Sequence, residues 1–148
     1  MSSTDQAGST PWTRILHLGG DTWLGLVGEA LFVGDHDNPK REVDRAAPTG
    51  LLPCLERPYD VVVAELRTRA GELSLDEGTL IDMVPLDSVP VEAVDSRMDY
   101  WIQLALDWLG SMPPDESSEG LLELLSSEAW PTQRARHRAR GLLRTRHS

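Results

Sequence analysis

The sequence predicts an α+β domain: a largely antiparallel sheet or small open barrel of about six strands, followed by three C-terminal helices. Two observations predict it. Between residues 13 and 86, short apolar runs alternate with glycine, aspartate and proline turn clusters, as in a meander. After Pro90 the apolar spacing changes to that of helices, with capping residues and prolines at the breaks. A chain of 148 residues suffices for one core and is short for two. The expected organisation is therefore a disordered polar lead over residues 1–11 and a single domain over 12–148, strand-rich over 12–90 and helical over 95–146.

The first meander runs through "TRILHL" (Thr13 to Leu18), the turn "GGD", "TWLGLV" (Thr22 to Val27) and "ALFVGD" (Ala30 to Asp35). Gly28 stands where a type II′ hairpin turn wants a residue of positive φ. Residues 35–58 then hold four prolines and no strong periodicity, a long loop in which "KREVDRAA" is the one stretch suited to a short helix. A second meander is expected from "YDVVVAELRTR" (Tyr59 to Arg69), "ELSL" and "TLIDMVPL" (Thr79 to Leu86), its first strand reading as a buried β-branched run.

Ser96, with Asp99 three residues on, reads as the cap of a helix that Gly110 and Pro113-Pro114 end. Met98, Trp101, Ile102, Leu104, Ala105, Leu106, Trp108 and Leu109 make most of its circumference apolar, leaving Asp99, Gln103 and Asp107 as one polar stripe. Such a helix belongs between layers. "SSEGLLELLSSEAW" is a second helix with Glu116 and Glu119 at its positive end, and Pro131 opens a third that runs to Arg146.

Charge divides the chain. Residues 131–148 carry six arginines and no acid, whereas residues 1–130 carry eight basic and 24 acidic residues, a net of −16. An acidic body attracts basic partners and repels nucleic acid and membrane surfaces; the tail argues the opposite. On a helical wheel, however, Ala135, Ala139, Leu142 and Leu143 form a stripe flanked by Arg136, Arg140 and Arg144 on one side and by Arg134 and Arg138 on the other. That pattern suits a helix docked through Ala and Leu, on its own body or on a second copy in a homodimer. Its arginines would reach acids such as Glu119, Glu123 and Glu128. Arginine outnumbers lysine 13 to one, as coding in a high-GC bacterial genome would produce, so arginine count alone says little.

Sites with chemistry are sparse. Asp35, His36 and Asp37, with His17 upstream, are candidate metal ligands of N/O type. Adjacent strand residues point alternately, and the calcium-loop pattern fails at Lys40, so a solvated turn is the simpler reading. The lone Cys54 excludes an internal disulfide and reads as a small buried apolar residue. The carboxylate pairs Asp35/Asp37, Asp76/Glu77 and Asp115/Glu116 read as turn residues and helix starts. Asp82 is a candidate for a buried Asp–Arg pair. No nucleotide or nucleophile-elbow motif is present, and no catalytic residue and no cofactor is indicated.

The function expected first is a non-enzymatic acidic protein that recognises a basic protein partner, of immunity or inhibitor type, with Asp35, Asp37, Arg136, Arg140 and Arg144 as candidate contacts. A nucleic-acid-linked regulator using the C-terminal helix is the alternative. A small enzyme or ligand carrier is the third reading, its pocket between the sheet and the 35–58 loop and lined by Trp23, Trp101 and Trp108. No apolar run has the roughly 20 residues of a membrane span, and the polar N-terminus lacks an export signal, so a cytoplasmic location is expected.

Overall fold

The computed structural model describes residues 11–147. The lead predicted for residues 1–11 lies, apart from Pro11, outside the described residues. The chain opens with an antiparallel meander in the order β1 (Thr13–Gly19), β2 (Thr22–Val27), β3 (Ala30–Gly34), β4 (Pro39–Glu42). The first three strands are those the alternation predicts. Gly28, at φ +62°, takes the turn between β2 and β3. Gly25 leaves room for the Trp12 ring, because a Cβ there would stand 2.7 Å from it.

The fourth strand falls in the segment for which the sequence predicts a loop and, in part, a short helix. Its residues, Pro-Lys-Arg-Glu, are too polar to alternate. Asp35 Oδ1 accepts from the amides of Asp37 (2.9 Å) and Asn38 (2.7 Å), and this turn folds the chain back onto β3. Proline at the first position and lysine next suit an edge strand.

The expectation of about six strands and only three helices is wrong. Among the described residues there are four strands, a 3-10 helix at Thr49–Glu56, a 3-10 turn at Leu86–Ser88 and six α-helices. These are α1 (Tyr59–Glu72), α2 (Glu77–Met83), α3 (Val89–Ser96), α4 (Asp99–Ser111), α5 (Glu116–Ser127) and α6 (Gln133–Arg146). The second meander is thus helical. Val62, Val63, Leu66 and Ala70 of α1 are buried, a 3.6-residue stripe and not an alternation. The stripe packs on the apolar face of the sheet, made by Leu16, Leu18, Leu24, Leu26 and Leu31, and that burial overrides the β preference of three consecutive valines.

Local signals agree with the helices. Asp76 caps α2 by accepting from the Thr79 amide at 2.9 Å. Pro90 sits in the first turn of α3, where its missing N–H costs nothing. Ser96 does not start the Trp-rich helix but ends α3. Its hydroxyl donates to the Ala93 carbonyl oxygen (2.6 Å) and accepts from the Met98 amide (3.1 Å), while Arg97 turns the chain in the left-handed region at φ +57°.

Helix α4 lies between layers, as its apolar circumference predicts. It touches α1, α3, the 3-10 helix and α6, and it buries Ile102, Ala105, Leu106, Trp108 and Leu109. The Trp108 indole donates to the Arg57 carbonyl oxygen at 2.8 Å, which meets the need of its one polar atom. Asp115 and Ser118 form a reciprocal capping box at the start of α5. Thr132 caps α6, so Pro131 lies just before that helix and not in its first turn.

Candidate functional site

The C-terminal helix is docked on its own chain. Ala135 and Ala139 are fully buried, and Leu142 and Leu143 pack against the core, as the wheel requires. α5 and α6 form an antiparallel pair: Arg140 Nη2 donates to the Ser126 carbonyl oxygen (3.0 Å), and Arg146 Nη1 to Ser118 Oγ (2.8 Å). The arginines nonetheless find partners other than those expected. Arg136 donates to the carbonyl oxygens of Ala129 and Pro131, and Arg146 to that of Leu109. Arg136 and Arg140 thus reach main-chain oxygens and not the carboxylates of Glu119, Glu123 or Glu128.

The reason is geometric. Ser126 and Leu109 lie in the last turns of α5 and α4, whose carbonyls have no intrahelical donor. Ala129 and Pro131 lie in the connection between α5 and α6, and a guanidinium carries five N–H groups in a fixed fork. On the opposite flank Arg138 meets the polar stripe of α4, donating to Gln103 O (3.1 Å), Gln103 Oε1 (2.8 Å) and Asp107 Oδ1 (2.5 Å). Thr132 Oγ1 donates to Asp99 of the same stripe at 2.9 Å. Arg144 is exposed one turn beyond Arg140.

The turn at residues 35–38 is solvated. Hydrogen bonds from the amides of Asn38 and then Asp37 hold the Asp35 carboxyl below its usual range, with Lys40 at 3.5 Å assisting. His36 Nδ1 lies 3.1 Å from Asp37 Oδ1, while His17 Nε2 meets the Gly20 carbonyl oxygen at 2.7 Å. The Trp23 ring touches both imidazoles, its centroid 4.7 Å from that of His17 and 6.3 Å from that of His36. His17, Asp35, His36 and Asp37 are not brought together, and no trio of His, Cys, Asp or Glu among the described residues is placed to share a metal ion.

Asp82 is not part of a buried ion pair. It is exposed on α2, and Arg45 binds the main-chain oxygens of Asp82 and Met83 instead. Burial pushes the Cys54 thiol up to about 12. Beside the 35–58 segment lie a pocket of about 280 Å³ walled by residues such as Val33, Arg41 and Thr49, an open one of about 520 Å³ walled by residues such as Asp21, Asp35 and Lys40, and one of about 280 Å³ between Leu55, Pro58 and Trp108. Small-molecule sites measure roughly 300–1,000 Å³. Trp108 lines only the last of these pockets, and Trp23 and Trp101 line none of them.

The surface that stands out is the corner where α3 turns into α4. Met98 and Tyr100 are each 55% exposed. Arg97 lies 4.6 Å over the Trp130 ring, and Tyr100 meets Trp101 edge-on at 4.9 Å between centroids. Asp95 and Asp99 are exposed in the same stretch. The Tyr100 hydroxyl donates to Glu56 Oε2 at 2.5 Å, and this bond raises the phenol above its ordinary ionisation range.

Sequence reasoning missed this corner because it placed Met98 on a continuous buried helix face. The signal that locates it is the Ser96-Arg97 break, which moves Met98 to the N-cap of α4 and turns it outward. No family model matches this chain, and comparison with curated proteins and with solved structures gives no match. No helix among the described residues is long and apolar enough to cross a membrane.

Proposed function

We propose that this chain is a non-enzymatic acidic binding protein that docks a basic protein partner on the Arg97–Trp101 corner. One observation carries the reading: a methionine and a tyrosine, each 55% exposed, sit among two tryptophans and an arginine with carboxylates around them. Tyr, Trp, Met and Arg are the residues that dominate binding energy at protein interfaces. The Glu56 bond orients the Tyr100 ring before any partner arrives, which lowers the ordering cost of association. Glu56, Asp95 and Asp99 supply negative potential, and a net charge of −10 extends it to long range.

The nucleic-acid alternative has less support, because Arg136, Arg138, Arg140 and Arg146 spend their donors on the body of the protein. The partner contacts move accordingly, from the turn at Asp35 and Asp37 and the arginine flank to this corner. A reducing, cytoplasmic setting agrees with a single buried cysteine.

The test is co-purification from the native host at low salt, comparing the wild type with a Met98→Asp/Tyr100→Ala variant. A partner retained by the wild type, released by salt and lost with the double variant supports the reading. A partner retained equally by both removes its basis.

A further inference from the structure

A second feature lies away from that corner, between strands β1 and β2 and helix α1. There a cleft of about 460 Å³ is walled by Arg14, Trp23, Glu65, Thr68, Arg69 and Glu72. Its charges are not equivalent. Glu65 is paired with Arg57 and also accepts from the His17 amide at 3.2 Å. Arg69 is committed too: its Nε donates to the Arg14 carbonyl oxygen (2.7 Å) and its Nη1 to Glu72 (3.1 Å). The Arg14 guanidinium differs from both. It is half-buried, lies 5.1 Å over the Trp23 ring, and has no hydrogen bond or ion pair among the described residues. The Thr68 hydroxyl and the Trp23 indole N–H are likewise without a protein partner among the described residues.

We propose that this cleft binds a small organic monoanion, its carboxylate received by Arg14 and Thr68 and its flat apolar body lying against Trp23. A guanidinium offers a planar fork that matches a carboxylate in two parallel bonds. Stacking on the indole holds that fork in place beforehand, so less freedom is lost on binding. The volume falls within the range of small-molecule sites. Single charge follows from the walls. Glu65 and Glu72 are each balanced by one arginine, which tolerates a monoanion but opposes a phosphate dianion, and phosphate has no surface for Trp23.

Phenylacetate is the probe, titrated into the full chain while the indole N–H resonances of the five tryptophans are followed by NMR, with Trp23→Phe identifying the Trp23 signal. The Trp23 signal should shift and saturate at about millimolar phenylacetate. Arg14→Gln should weaken binding by about tenfold or more, the usual loss for a charged hydrogen-bond partner. The amide spectrum away from Trp23 should stay unchanged, since the Arg14 guanidinium makes no hydrogen bond or ion pair among the described residues and lies over the Trp23 ring. Arg14→Glu should transfer preference to phenethylamine, the matching cation. The proposal is overturned if the Trp23 signal does not move, if Arg14→Gln binds as well as the wild type, or if acetate and inorganic phosphate bind as tightly as phenylacetate. Substitutions at Met98 and Tyr100 should leave this binding intact, so the two sites stand or fall separately.

Discussion

Arg146 Nη2 donates to the carbonyl oxygen of Leu109 at 2.7 Å, joining the last turn of the chain's final helix to the last turn of its central one. A second nitrogen of the same side chain reaches Ser118 Oγ, so one guanidinium ties three helices together. Arg146→Ala should therefore lower stability by about 1.5–3 kcal/mol, the range for a hydrogen bond to a charged group. A lower urea midpoint at unchanged slope is the expected reading. Deleting residues 131–148 should go further and abolish the cooperative transition, because Leu122 and Leu125 would lose their cover. A sharp native-like transition in the truncated chain would show that the helix is an appendage.

The helical phase of α1 has its own test. Leu66 is fully buried and Val61 is 47% exposed. Leu66→Ala should cost about 2–5 kcal/mol, as core truncations do, and Val61→Ala less than about 0.5 kcal/mol, as surface changes do. A strand over the same residues would put Val61 and Val63 on one face and make both costly. Comparing Val61→Ala with Val63→Ala by denaturant unfolding separates the two.

Cys54 should resist thiol reagents in the native state. Its pKa is raised from an ordinary 9.0 to about 12, chiefly because burial penalises the thiolate. The unfolded chain loses this proton at lower pH than the folded one, so above about pH 9 the unfolded state binds fewer protons and stability falls as pH rises toward 12. Modification by an aromatic disulfide reagent at neutral pH should track global unfolding. Rapid modification of folded protein would contradict this.

Glu92 is a buried acid at 9% exposure, and its pKa is raised by burial, with Asp95 and Asp44 adding to the effect. The folded state thus disfavours its charged form, and the resulting loss of stability is absent at low pH and complete above the raised pKa. Glu92→Gln should stabilise the protein at neutral pH by roughly 0.5–1 kcal/mol and leave stability near pH 3 unchanged. Urea midpoints at the two pH values measure this, and a destabilised Glu92→Gln at neutral pH would mean that the carboxylate is needed where it sits.

Much of the candidate chemistry was legible in residue order. The acid pairs fell where turns and helix starts need them: Asp35 closes the turn before β4, Asp76 caps α2 and Asp115 caps α5. These are short-range effects, a side-chain oxygen meeting an amide two or three residues away. The exposed corner was hidden for the opposite reason. Whether Met98 extends the apolar face of α4 or leaves it depends on one residue, Arg97, adopting positive φ, and no periodicity records that.

By itself the sequence determined the first hairpins, the helical character of the segments that become α4, α5 and α6, the α6 stripe and the division into acidic body and basic tail. Each rests on local periods, caps and turns that few distant contacts can reverse. Tertiary structure decided the middle of the chain and the fate of the arginines. Val61 to Val63 suit a strand or a helix equally until a sheet face offers burial for every third or fourth residue, and Arg140 and Arg146 find their acceptors only when distant helix ends bring unpaired carbonyl oxygens within reach.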